Sequence, residues 1–177
     1  MAKYFNITGA SSAAAELTRE LLAPGDDIIV SEVALTNIHA TTTCSVDLYI
    51  EKKLDGRYYI LKAIDLPIGV TLSCTTGGFS NAADEYGLYI KLTNGDAFEL
   101  TGSINPGNST TTVPGSGTTF TTELDVGSDI VVTGETRRIT AIASTTGLTI
   151  NKTFTSDIAT DTTPDGKLGA EVDVIIS

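Results

Sequence analysis

Residues Asn108 to Asn151 read NSTTTVPGSGTTFTTELDVGSDIVVTGETRRITAIASTTGLTIN. Thr and Gly dominate, and apolar residues come in short alternations such as Asp129–Thr133 (DIVVT) and Thr136–Ser144 (TRRITAIAS). High β-branched density broken by Gly-containing turns predicts short antiparallel strands. We place them at Thr118–Leu124, Asp129–Thr133, Thr136–Ser144 and Leu148–Asn151. Together they predict a small barrel or sandwich with Phe120, Leu124, Val126, Ile130, Val132, Ile139, Ile142, Leu148 and Ile150 as its core.

This stretch divides another β domain. Ser103–Ser116 and Thr153–Lys167 are Gly/Pro/Ser/Thr-rich and read as linkers. Outside them lie two strand-like runs, Gly95–Leu100 (GDAFEL) and Glu171–Ile176 (EVDVII), expected as neighbours in one sheet. The second run is too short to fold alone, because an isolated strand pair is marginal in water. It needs a sheet, and either the N-terminal sandwich or the small barrel could supply one. Insertions are tolerated where chain ends lie close at a surface. The expected organisation is therefore a sandwich of residues 1–102 plus 169–177, with an inserted small β domain at 103–168.

The N-terminal part carries the clearest strands. Tyr4–Thr8 is a short first strand, and Gly9–Ala23 is an Ala/Ser-rich stretch with Leu17, Leu21 and Leu22 at helical spacing or in an extended arm. Asp27–Asn37 follows. In Ser45–Glu51, Val46, Leu48 and Ile50 alternate with Asp47, Tyr49 and Glu51, the period of a strand with one buried face. Leu54-Asp55-Gly56 predicts a hairpin turn into Arg57–Leu66. Pro67 ends that strand and Val70–Cys74 continues. Gly77-Gly78 opens a loop to Asp84, Tyr86–Leu92 is the next strand, and Asn94-Gly95 signals a hairpin. The fold class is all-β: an antiparallel β-sandwich, jelly-roll or Ig-like, with the inserted module.

The 177 residues carry 22 Asp and Glu against 11 Lys and Arg, a net charge of −11. Phosphate binding needs clustered cations, so nucleic acid and anionic membrane are not expected partners. The opening residues do not read as a signal peptide, and no apolar run approaches the roughly 20 residues of a membrane span.

Catalytic chemistry finds little support. His39 is the single histidine and must serve any Ser-His-Asp or Cys-His dyad; it sits in Asn37–Thr43 (NIHATTT), at a strand end. Cys44 and Cys74 lack CxxC spacing and read as reduced, partly buried thiols. With His39 they are too few for a four-ligand zinc site. The pairs Asp26/Asp27, Asp84/Glu85, Asp125/Asp129 and Asp161/Asp165 do not form a DxDxDG calcium loop. No catalytic, cofactor-binding or metal-binding residues are expected, and no cofactor. Tyr49, Tyr58, Tyr59, Tyr86 and Tyr89 lie in strands. Tyr58 and Tyr59 are adjacent, so their rings point to opposite faces and at least one is available to contact a neighbouring subunit.

The segments FNITGASSAAAELTRELLAPGDDI, SEVALTNIHATTTCSVDLYIE, YYILKAIDLPIGVTL, YGLYIKL and EVDVIIS resemble a virion structural protein family of contractile-tailed phages of marine cyanobacteria. Simpler members of that family resemble this chain with its central segment removed. Ser109–Asn151 resembles a small β module recurring in phage tail-fibre and other virion proteins. The resemblance implies a non-enzymatic phage virion structural protein, decorating or cementing the capsid exterior through subunit contacts, with a neck, collar or tail position as the alternative. A carbohydrate-binding host-adhesion module is a further alternative. Expected partners are other virion proteins, such as a major capsid protein or neck and tail proteins. A homo-oligomer in the particle is also expected, with localisation to the virion.

Overall fold

A computed structural model describes residues 2–8, 17–52, 56–80, 86–158, 160–161 and 163–177. They fall into two compact units. One comprises residues 2–7, 17–93 and 170–177, and the other Thr8 with residues 94–169.

Among the described residues the first unit has eight strands: β1 (Lys3–Thr8), β2 (Leu17–Leu22), β3 (Ile29–Asn37), β4 (Cys44–Lys52), β5 (Gly56–Leu66), β6 (Thr71–Ser80), β7 (Gly87–Thr93) and, far along the chain, β15 (Glu171–Ile176). They form two four-stranded sheets, ordered β1-β15-β3-β6 and β2-β7-β4-β5. Counting β15 as the eighth strand, the orders are 1-8-3-6 and 2-7-4-5, the double Greek key of a jelly-roll sandwich. Alternation builds its core. Cys44, Val46 and Leu48 of β4 meet Leu88, Ile90 and Leu92 of β7, and Val30, Val33 and Leu35 of β3 join Val172, Val174 and Ile176 of β15.

β5 is an eleven-residue edge strand, hydrogen-bonded among the described strands to β4 alone. Its register slips between Val46 and Leu48 and again between Leu48 and Tyr49. Ala63 takes a φ of +49°, and its N–H donates to Asp47 Oδ1 at 2.7 Å. Such bulges twist an edge away from strand-to-strand pairing with another chain.

Between β7 and β15 lies the second unit. Its strands are β8 (Phe98–Glu99), β9 (Ser103–Ile104), β10 (Thr112–Ser116), β11 (Asp129–Val132), β12 (Glu135–Ser144), β13 (Gly147–Ile150) and β14 (Asp165–Lys167), with one helical turn, α1 (Phe120–Glu123). The sheet order is β8-β14-β11-β12-β13-β10-β9. Its two ends belong to one bent run, residues 98–104. That run pairs with β14 and Asp161 on one side and with β10 on the other. The sheet thereby closes on itself as a six-stranded antiparallel barrel, filled by Leu100, Ile104, Val113, Phe120, Leu124, Ile130, Val132, Ile139, Leu148, Ile150 and Phe154.

Several expectations are corrected. Gly95–Leu100 is not a neighbour of Glu171–Ile176: Phe98 pairs with Gly166 and Glu99 with Asp165 inside the barrel, while β15 pairs with β3. The division expected at 102/103 falls at 93/94, and the return expected at 168/169 falls at 169/170. Asn94-Gly95 makes no hairpin. The Asn94 amide donates to Gly127 O and Asp129 Oδ2, and Gly95 N–H donates to Leu168 O, which draws the chain into the barrel. Thr118–Leu124 is not a strand. Thr119 O accepts from both Thr122 and Glu123 N–H, and the resulting turn sets Phe120 and Leu124, four apart, on one face toward the core. The expected linker Thr153–Lys167 supplies Phe154 and β14 to the barrel, and the expected loop at Gly77-Gly78 continues β6 to Ser80. Val126 stands 42% exposed in a turn rather than in the core. Of Gly9–Ala23, read as helical or extended, residues 17–22 are extended as strand β2, and 9–16 lie outside the described residues, as do 53–55 and 81–85.

Candidate functional site

The outer face of the β2-β7-β4-β5 sheet carries an aromatic row. Register places Glu20 beside Tyr89, Tyr89 beside Tyr49, and Tyr49 beside Tyr59, one residue from each strand. Tyr49 and Tyr89 stack at 5.6 Å with planes 15° apart, and Tyr59 tilts against Tyr49 at 5.6 Å. Gly87 makes room for this. A Cβ there would lie 2.7 Å from the Tyr89 ring.

Charges cover the rings. The Arg57 guanidinium lies 4.0 Å above the Tyr49 ring and pairs with Glu51 at 2.9 Å, while Lys62 Nζ sits 4.8 Å from Tyr59. Each cation over an aromatic face gains about 0.5–1 kcal/mol when exposed. Tyr49 is 1% exposed although it points away from the sandwich core, whereas Tyr59 remains 41% and Tyr58 54% exposed. Tyr58 packs edge-on against Tyr86 at 6.0 Å, so the adjacent rings do serve different neighbours.

The Tyr89 hydroxyl donates to Glu20 Oε2 at 2.9 Å. Burial, and then that bond to the Glu20 carboxylate, push the Tyr89 phenol up to about 12. The neutral phenol is therefore favoured in the folded state. Its stabilisation is complete below the ordinary tyrosine value near 10 and is lost as pH rises from there through about 12. Absorbance titration at 295 nm should show one tyrosine ionising near the top of that window, and Glu20→Gln should lower its midpoint.

The other singled-out residues do not converge. His39 Nδ1 accepts from the N–H groups of Thr41 and Thr42, both at 3.1 Å, which ties it to its own turn. Asn37 is fully buried there and donates to Thr42 O and Leu66 O. Cys44 is a free buried thiol on β4, pushed up to about 11 by burial and then by Asp65. Cys74 is a free, half-buried thiol on β6. Asp26 pairs with Lys3 at 3.1 Å, and Asp129 with Arg138 at 3.2 Å. Asp161 bridges to Ile104, Asp165 lies in β14, and Asp84 and Glu85 lie outside the described residues. Among the described residues no group of three or more His, Cys, Asp or Glu is placed to hold a metal ion. An open cleft of about 280 Å³ on the barrel is lined by Ser103, Asn105, Pro114, Ser116 and Thr160, without an aromatic or charged group. Phe120 and Phe154 are core residues of the barrel, and Phe98 packs against that core.

Sequence reasoning named the tyrosines but missed Arg57 and Gly87, which hold them in a row. Gly87 was a legible signal: a glycine two residues before Tyr89 shares its strand face and leaves space for a ring. Comparison with protein-family profiles, curated proteins and solved structures gave no match.

Proposed function

We propose that the chain is a non-enzymatic structural protein of a phage virion, decorating or cementing the capsid exterior. The sandwich docks, and residues 94–169 are an inserted module. The observation that carries this reading is the Tyr49–Tyr59–Arg57 cluster on the outer sheet face, with Tyr59 exposed and Arg57 fixed by Glu51. Tyr and Arg anchors of this kind are enriched at protein interfaces and carry much of their binding energy. Jelly rolls recur among viral coat proteins. Fold alone does not assign function, so the sequence resemblance to virion proteins supplies the biological setting.

Gold labelling of purified particles with an antibody against residues 94–169 tests placement. Label over the whole head supports decoration, and label at the neck or tail moves the protein there. Unlabelled particles remove the virion reading. Incorporation tests the face itself: a Tyr59→Ala, Arg57→Ala chain should enter particles at least tenfold less than wild type while melting at nearly the same temperature. Undiminished entry would show that docking uses another surface.

A further inference from the structure

We infer that the tyrosine face is where two copies of this chain meet, related by a two-fold axis running along the strands. The inference rests on the docking reading above and names the occupant of the face. A chain of net charge −11 repels its own copies over most approaches. On this face Arg57, Lys62 and Lys91 interleave with Glu20, Asp47 and Glu51, so the row is close to neutral. Asp65 lies further along β5, opposite Ser45 and past the row.

The order of charges across the sheet is polar. The exposed Lys62 and Arg57 stand on β5 at one edge, and the exposed Glu20 stands on β2 at the other. Lys91 on β7 and Asp47 on β4 are neighbours in the middle. A two-fold axis along the strands lays β5 of one copy over β2 of the other, and β7 over β4. By register Tyr59 then faces Glu20 of the second copy, with Lys62 Nζ, 4.8 Å from the Tyr59 ring, beside that contact; Lys91 faces its Asp47, and each contact occurs twice. Such an isologous patch is self-complementary, as closed two-fold symmetry requires. The bulges in β5 disfavour edge-to-edge pairing and leave the face as the meeting surface.

Sedimentation equilibrium of the full chain over a wide concentration range is the test. Wild type should show a concentration-dependent dimer. Lys62→Glu and Glu20→Lys should each raise the dissociation constant at least tenfold, because each sets like charges opposite one another at two places. The double variant restores opposite signs and should recover most of the affinity. Thermal unfolding of each variant checks that the sandwich is intact. A wild-type chain monomeric throughout, single variants that dimerise like wild type, or a double variant as weak as the singles would each overturn the inference. Particle labelling with a monomeric wild-type chain would leave the virion reading standing and remove only the second copy as occupant.

Discussion

Asp129→Ala should cost the barrel about 3–5 kcal/mol, the penalty for leaving one charge of a buried pair without its counter-charge. Asp129 and Arg138 sit opposite each other on β11 and β12, at 9% and 8% exposure. Arg138 Nε donates to Asp129 Oδ1 at 3.2 Å, and Nη1 is buried without a partner among the described residues. Alanine would therefore strand a guanidinium that is already under-satisfied. It would also remove one of the acceptors of the Asn94 amide, at 2.8 Å. A small unit's total stability is of the order of 5–10 kcal/mol, so the loss is a large share. Chemical denaturation followed by barrel and sandwich probes should show only the barrel transition moving to lower denaturant. Asp129→Leu with Arg138→Met should recover most of the loss, since apolar replacement of a buried pair is often neutral or stabilising. The exposed pair Arg57–Glu51, with both side chains 40% accessible, sets the contrast. Glu51→Ala should cost less than about 1 kcal/mol. A comparable small loss for Asp129→Ala would contradict the buried pair.

Gly102→Ala should be as damaging, for a different reason. Gly102 bends the run that closes the barrel, with a φ of +85°. Its added Cβ would lie 2.6 Å from both Gly117 C and Ser116 O and 2.7 Å from Thr118 N. All three are backbone atoms, so no side-chain rotation relieves the overlap. Left-handed backbone costs a non-glycine residue about 1–2 kcal/mol, and forced overpacking adds about 1–3 kcal/mol. Gly117 separates the two costs. Its φ is +68°, but an added Cβ there meets nothing within 4 Å. Gly117→Ala should show only the conformational part, and Gly102→Ala should exceed it by the overlap. Equal midpoint shifts for the two variants would refute closure at this bend.

The strands with a buried face were legible because period-two alternation survives any tertiary arrangement. Val46, Leu48 and Ile50 point inward as their spacing required, and most of the expected barrel core is buried. Partners were not legible. A six-residue β run carries no address, and Gly95–Leu100 joins β14 because Gly166 is bare: a Cβ there would lie 2.9 Å from Leu100 and Leu124 and 3.1 Å from Phe98. Thr118–Leu124 has strand composition, yet its one-turn helix buries Phe120 and Leu124 together, and packing overrides weak propensity. The tyrosine face was half visible. Alternation put Tyr49 on the outer side, but its burial depends on Arg57 from the next strand, a pairing that spacing alone does not contain.

Strand β15 lies between β1 and β3 in its sheet. The first unit therefore has a gap in its sheet until a segment far downstream of β7 arrives, whereas the described strands of the barrel all lie between Asn94 and Gly169. Loop-closure entropy makes such distant pairing slow, and chains emerge from the ribosome in sequence order. Until β15 arrives, the sandwich has an unfilled slot flanked by two hydrogen-bonding edges, on β1 and β3. That slot is a brief opportunity for a foreign strand.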